Sequence, residues 1–206
     1  MGRAAKELKL YIFLLLSLLA ILIWSFIDCF DLLTWFMEAF PVIAGAAVLI
    51  SIYHKFRFTT LSLVLIWLHA IVLLVGAHYT YARVPLFDWI RDFFELSRNH
   101  YDRLGHFAQG FVPAILAREI LLRKSPLRKG GWLFFILICF CLALSAAYEL
   151  LEWLAAVILE DASEAFLGTQ GDVWDTQKDM AWCLVGSLVS LLTLRKLHDK
   201  AMEKTS

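Results

Sequence analysis

Six apolar runs, each long enough to cross a hydrocarbon core of about 30 Å at about 1.5 Å per residue, limit what this 206-residue chain can fold into. They cover residues 8–27, 32–53, 60–81, 104–122, 132–159 and 179–197. Hydrocarbon offers backbone groups no water, so such runs fold as helices. Composition agrees: 61% of the residues are hydrophobic and only 18% are charged, against about 25% in soluble domains. The expectation is an all-α membrane protein, a six-span transmembrane helical bundle forming one integral membrane domain over residues 1–206. No basic tract of nucleic-acid type appears, so nucleic acid is not expected as a partner. Cys29, Cys139, Cys141 and Cys183 have neither metal nor disulfide spacing. The N-terminus has the basic-then-apolar pattern of a signal sequence without a small-residue cleavage site, and reads as an uncleaved first span.

Basic residues set the expected orientation. Arg3, Lys6 and Lys9 precede the first run, Lys55 and Arg57 follow the second, Arg123, Lys124, Arg128 and Lys129 follow the fourth, and Arg195, Lys196 and Lys200 lie at and beyond the end of the sixth. All four places, and therefore both termini, are expected to be cytoplasmic. The remaining loops carry Asp28 and Asp31, and then Glu160, Asp161 and Glu164, with Lys178 their one base. The connection Ala82 to Arg103 alternates Phe87, Trp89, Ile90, Phe93, Phe94 and Leu96 with Asp88, Arg91, Asp92, Glu95 and Arg98 in near-helical rhythm. It reads as an interfacial amphipathic helix before span four, or equally as a lid packed on the bundle. Small residues at Gly45-Ala-Ala47, Ser145-Ala-Ala147 and the Gly186 to Ser190 spacing predict close helix approach.

Against this background the polar residues stand out. The stretch Gly168-Thr-Gln-Gly-Asp-Val-Trp-Asp-Thr-Gln-Lys-Asp179 places Asp172, Asp175 and Asp179 at i, i+3 and i+7, one face of a helix running from Asp172. Capping is the competing explanation, with Asp172 as N-cap and Asp175 at N3, or Thr176 as cap and Asp179 at N3. Asp102 and His106 stand four apart at the start of the fourth run, with Gln109 and Gly110 a turn further on. That pair suits acid–base work or cation binding; an isolated Asp and His at this spacing more often mark a capped helix start, a balance that the other acids in the apolar runs shift. Glu149 and Glu152 lie three apart in the fifth run, where two carboxylates share a proton, bind a cation, pair with a base such as Arg103, or, for Glu152, snorkel outward. Glu38 in the second run and His78 in the third are candidates to join them, whereas His69 reads as a bundle histidine. Ser163 and Thr169 lie near in sequence without a nucleophile elbow. By alternation of the spans, Glu38, His78, Asp102, His106, Glu149, Glu152, Asp172, Asp175 and Asp179 all fall in the outer half of the bundle.

Three segments carry a resemblance: Asn99-His-Tyr-Asp-Arg-Leu-Gly-His-Phe-Ala-Gln-Gly-Phe111, Tyr148-Glu-Leu-Leu-Glu-Trp153 and the 168–179 stretch. On these the chain resembles the YjdF family of bacterial inner-membrane proteins, which implies a multi-pass protein of the bacterial inner membrane and no particular reaction. More distantly it is similar to VanZ-like proteins, a group linked to teicoplanin-type glycopeptide resistance. That likeness rests on Asp102, Arg103 and His106, on Glu149, and on Asp179 with Gly186. It departs from the pattern at Glu152, where an amide is common, at Arg103, where lysine is common, and at Cys183, where asparagine is usual.

The leading expectation is an outward-facing polar site, metal-dependent or acid–base, that binds or processes an envelope lipid or lipid-linked headgroup. Asp102, His106, Glu149, Glu152, Asp172, Asp175 and Asp179 are its candidate catalytic residues. Arg103, Gln109, Thr169, Gln170 and Lys178 are candidates for substrate contact. For a divalent cation the ligands would be drawn from Asp102, His106, Glu149, Asp175 and Asp179. The expected partners are membrane lipid and a lipid-linked envelope substrate. An ion- or proton-coupled transporter, or a structural membrane protein whose polar groups fix helix register, are the alternatives.

Overall fold

The computed structural model describes residues 3–159 and 169–204. Glu160, Asp161, Ser163, Glu164 and Gly168 lie outside the described residues. The elements in chain order are α1 (Arg3–Phe26), α2 (Leu32–Ile52), α3 (Thr60–Tyr79), a 3-10 turn (Tyr81–Arg83), α4 (Pro85–Phe93), α5 (Tyr101–Lys124), α6 (Gly131–Leu159), α7 (Asp175–Thr193) and α8 (Arg195–Glu203). Asp31 caps α2, its Oδ1 accepting from the Thr34 amide at 2.7 Å, and Thr59 caps α3 by accepting from the Ser62 amide at 3.3 Å. Non-glycine residues with positive φ, Asp28 and Thr80, sit at the turns that follow α1 and α3.

Helices α1, α2, α3 and α6 are long and apolar enough to cross a membrane, and α7 with α8 passes the same test as a pair bent by 58°. The fourth run lies within α5, a helix that carries Asp102, Arg103, His106, Arg118 and Glu119, too much charge for a lipid-facing span. Its position explains the composition. Helix α5 packs on α3, α6 and α7 and buries Arg103, His106, Arg118 and Glu119, so protein rather than lipid surrounds its polar groups. Between its two polar ends lies an apolar layer in which Val112 and Ile115 pack on Leu65 of α3.

The tightest contact is between α5 and α7. A Cβ added to Gly110 would fall on the carbonyl oxygen of Cys183, and one added to Gly186 would fall on that of Phe107, so both positions demand glycine. Cys141 of α6 closes this seam, its thiol donating to the Gly110 carbonyl at 3.6 Å. At Gly45 the expected close approach is not found: an added Cβ there meets nothing within 4 Å, because the residue faces a groove. Helices α1, α2 and α3 converge elsewhere, where Trp35, Ala39, Ala70, Leu74 and Ala77 form a core and Trp35 Nε1 donates to Ser25 Oγ at 3.0 Å.

The run 179–197 does not continue straight. It ends at Thr193, and α8 turns away to bury His198 completely against α5. There His198 Nε2 stands 3.1 Å from Glu119 Oε2, while Arg118 Nη1 stands 3.0 Å from His198 Nδ1. An arginine is always a donor, so Nδ1 accepts, and Nε2 carries the proton given to Glu119. Glu119 also accepts from the Thr59 amide at 2.8 Å and from Ser62 Oγ at 2.6 Å.

Candidate functional site

At the opposite end of α5, the first turn begins after a loop in which Asn99 Oδ1 accepts from the Tyr101 amide at 3.0 Å. Asp102 is therefore not needed as a cap and faces inward, one turn below His106. Helix α7 begins at Asp175 with Trp174 in the cap position and no side-chain capping bond, so neither capping explanation of the acidic stretch holds. Nor is the segment helical from Asp172. Asp172 lies in the preceding turn, its Oδ1 accepting from the Trp174 amide at 3.1 Å. Turn and helix together still aim Asp172, Asp175 and Asp179 at one guanidinium.

That guanidinium is Arg103. Its Nη1 donates to Asp179 Oδ1, and its Nη2 donates to Asp175 Oδ1 at 2.5 Å and to Asp172 Oδ2 at 3.2 Å. Arg98, from the loop after α4, donates to Asp175 Oδ1, to Asp102 Oδ2 at 3.3 Å and to the Thr169 carbonyl at 3.2 Å. Buried guanidiniums with several charge-assisted partners compensate carboxylates that would otherwise be costly to remove from water. Gln170 stitches the two loops together: its Oε1 accepts from the Asn99 amide at 2.9 Å, and its Nε2 donates to the Asn99 carbonyl at 3.0 Å. Lys178 reaches Asp172 Oδ2 at 2.7 Å on the exposed side. This ammonium, more than anything else, holds the Asp172 carboxyl below the usual aspartate range. Burial, followed by Arg98 and Arg103, pushes His100 in the nearby loop below the ordinary imidazole value.

His106 lies at the centre. Its Nε2 stands 3.4 Å from Asp102 Oδ1, 3.6 Å from Glu149 Oε1 and 3.8 Å from Asp179 Oδ1, and all four side chains are nine-tenths buried or nearly so. Its Nδ1 is 3.1 Å from Gln109 Oε1. An amide oxygen only accepts, so Nδ1 is protonated and Nε2 is the atom presented to the carboxylates. Glu149 Oε1 is buried without a hydrogen-bond partner. Oxygen or nitrogen donors held about 2.1 Å from one ion at near-tetrahedral angles stand about 3.4 Å apart, and the ligand atoms of Asp102, His106 and Asp179 lie within 4.8 Å of one another. The donor set thus fits a hard or borderline divalent cation, or a proton shared among carboxylates around an imidazole.

The structure therefore gathers Asp102, Arg103, His106, Gln109, Glu149, Asp172, Asp175 and Asp179, with Glu152 one turn from Glu149 on α6. Thr169 contributes its carbonyl, and Gln170 braces a loop. Arg103 and Lys178 face carboxylates, where substrate contact was expected. Glu38 approaches from α2, accepting from Tyr148 Oη at 3.4 Å, with the Tyr148 ring 6.3 Å from that of His106. His78 does not join: its ring lies 4.4 Å from that of Trp24 and its Nδ1 is 3.3 Å from the Ser25 carbonyl. Beside the start of α5 lies α4, much shorter than the 82–103 rhythm implied. Phe87 packs on Tyr101 at 5.2 Å and Asp88 accepts from Asn99 Nδ2 at 3.0 Å, while Leu86, Trp89 and Phe93 stay exposed. Arg98 and the Glu119–His198 pair were not anticipated. Arg98 stands four before Asp102, a spacing that signals an ion pair on a helix, yet it lies in a loop.

A bundle that is helical throughout its regular described elements, with charges buried at the two ends of its central helix, is that of an integral membrane protein. The chain belongs to the family described as "Predicted membrane protein (DUF2238)", which matches residues 10–200. It is similar to the inner membrane protein YjdF of Escherichia coli (strain K12), at 46% identity over 189 residues, covering 92% of this chain and 90% of that one. No solved structure matches the chain.

Proposed function

We propose that the chain is a six-span protein of the bacterial inner membrane with both termini cytoplasmic, α5 as its shielded fourth span and α4 in the outer interface. The name of the relative and the basic residues bordering the spans support this topology. In this reading the cluster around His106 is an outward-facing site that takes a divalent cation or moves a proton, and acts on the headgroup of an envelope lipid or lipid-linked molecule. One observation carries it: His106 Nε2 faces three carboxylates, and the oxygen nearest it from Glu149 has no other partner. A buried carboxylate in that position is costly unless a cation or a proton meets it. Asp102 and His106 would hold the ion, Glu149 would complete the set or act as base, and Arg98 and Arg103 would fix the acids. The distant VanZ likeness, on Asp102, Arg103, His106, Glu149, Asp179 and Gly186, fits the same assignment.

The test is elemental analysis of purified protein for divalent metals beside a D102A/H106A/E149A variant. Near-stoichiometric metal in the parent, lost from a folded variant, is the expected result. If neither binds metal after divalent cations are added back, the metal form of the reading is wrong and proton chemistry is left. Proton-coupled transport is the second reading, favoured by the buried Glu119–His198–Arg118 cluster at the other end of α5. Proton flux in proteoliposomes that E149Q abolishes would establish it over the first.

A further inference from the structure

A cavity of about 950 Å³ opens at the end of the bundle opposite His106. Lys55, Arg57, Arg123, Lys124, Lys200 and Lys204 line it, against one carboxylate, Glu7. Several of these cations are held in place. Arg57 lies over the Tyr53 ring at 4.8 Å, and Arg123 lies over Phe56 at 4.3 Å while donating to the buried Glu119 at 2.7 Å. Membrane topology alone asks for positive charge at one end of a bundle. It does not ask that the charges ring a cavity.

A second cavity, about 450 Å³ and almost wholly apolar, runs from the first along α1, α2 and α3. The two share Tyr11, His54, Phe56, Arg57 and Phe58 on their walls, so they adjoin. The groove exists because α1 and α2 each pack on α3 and barely on each other. Gly45 leaves its wall open, and Pro41 on the same wall removes one amide from the α2 ladder. His69 is part of the same wall, its Nε2 buried without a hydrogen-bond partner.

We propose that the basic cavity and the apolar groove are one binding site for an anionic phospholipid. The phosphate sits among the lysines and arginines of the cavity, and an acyl chain lies along the groove past Gly45. Charge complementarity selects the headgroup, and a basic cavity that adjoins an apolar groove suits a molecule with both an anionic and an apolar part. This site is independent of the chemistry assigned to His106.

Native mass spectrometry on the full-length detergent-purified protein tests it, with phosphatidylglycerol and phosphatidylcholine of matched chains and inorganic phosphate as probes. Phosphatidylglycerol is expected to be retained about tenfold or more over phosphatidylcholine, because both carry the phosphate but choline adds a fixed positive charge among the cations of the cavity. K55Q/K200Q should erase that preference. G45L enters open space in a helix that gains propensity, and should lower phosphatidylglycerol retention with the headgroup wall intact. Equal retention of the two lipids overturns the proposal. So does displacement by inorganic phosphate with no effect of G45L, which would make the cavity a soluble-phosphate site. If G45L fails to assemble, short-chain and long-chain phosphatidylglycerol are compared on the parent protein, and equal retention of the two overturns it.

Discussion

Glu149 Oε1 lies 3.6 Å from His106 Nε2, on a different helix, and is buried with no hydrogen-bond partner. The Gln109 amide oxygen on Nδ1 decides which imidazole nitrogen faces that carboxylate. Q109L removes the acceptor, frees the tautomer and is expected to weaken divalent-cation binding about 10- to 100-fold, the usual effect of losing such an orienting partner. Titration calorimetry with added divalent cations reads this directly. Unchanged affinity would show that Gln109 does not orient the ring.

Arg103 ties the turn before α7 and the start of α7 to α5 through three aspartates. R103Q leaves the buried Asp179 without its guanidinium, while Asp175 keeps Arg98 and Asp172 keeps Lys178, and should cost about 3 kcal/mol, seen as a lower thermal midpoint in detergent. R103K should rescue little, because one ammonium cannot present the planar fork that meets Asp175 and Asp179 together.

Asp172 gives the pH dependence a sign. Its folded carboxyl titrates below the ordinary aspartate value because Lys178 favours the ionised form. Its stabilising contribution is complete above the unfolded aspartate pKa and is lost as pH falls through the depressed folded value. Since the pair is exposed, the effect is small and screened by salt. In low-salt unfolding measurements, K178Q should lower stability slightly at neutral pH and change little below the folded Asp172 value, so that the acid limb of the stability curve flattens.

The α5–α7 seam supplies a packing prediction. G110A drives a methyl group into the Cys183 carbonyl, and the helices must separate to admit it. Destabilisation of about 1–3 kcal/mol is expected. G45A, facing open space, should be neutral or slightly stabilising in the same unfolding assay.

The helices were legible because lipid-facing residues write a run of apolar letters that needs no partner to be read. The ends of α2 and α3 fall within two residues of the runs that announced them. The acids of α5, α6 and α7 were also legible as a group, since carboxylates in apolar runs call for a shared explanation. What sequence could not supply was pairing across elements. Arg98 meets Asp175 only because the loop after α4 folds over the start of α7, and His198 reaches Glu119 only because the helix breaks at Leu194. Neither contact has a periodicity. Gly45 misled for a related reason: a small residue marks a close approach or an open space, and only the neighbours distinguish them.

The bend after α7 has a consequence for biosynthesis. Glu119 is fully buried in the finished protein, and its histidine partner lies 79 residues later in the chain. At ordinary translation rates that separation is roughly 4–16 s. During this interval the membrane insertion machinery handles a central helix whose carboxylate lacks its His198 partner. The docking of α8 is then the step that completes the partner set of Glu119, which until then has Thr59, Ser62 and Arg123 alone.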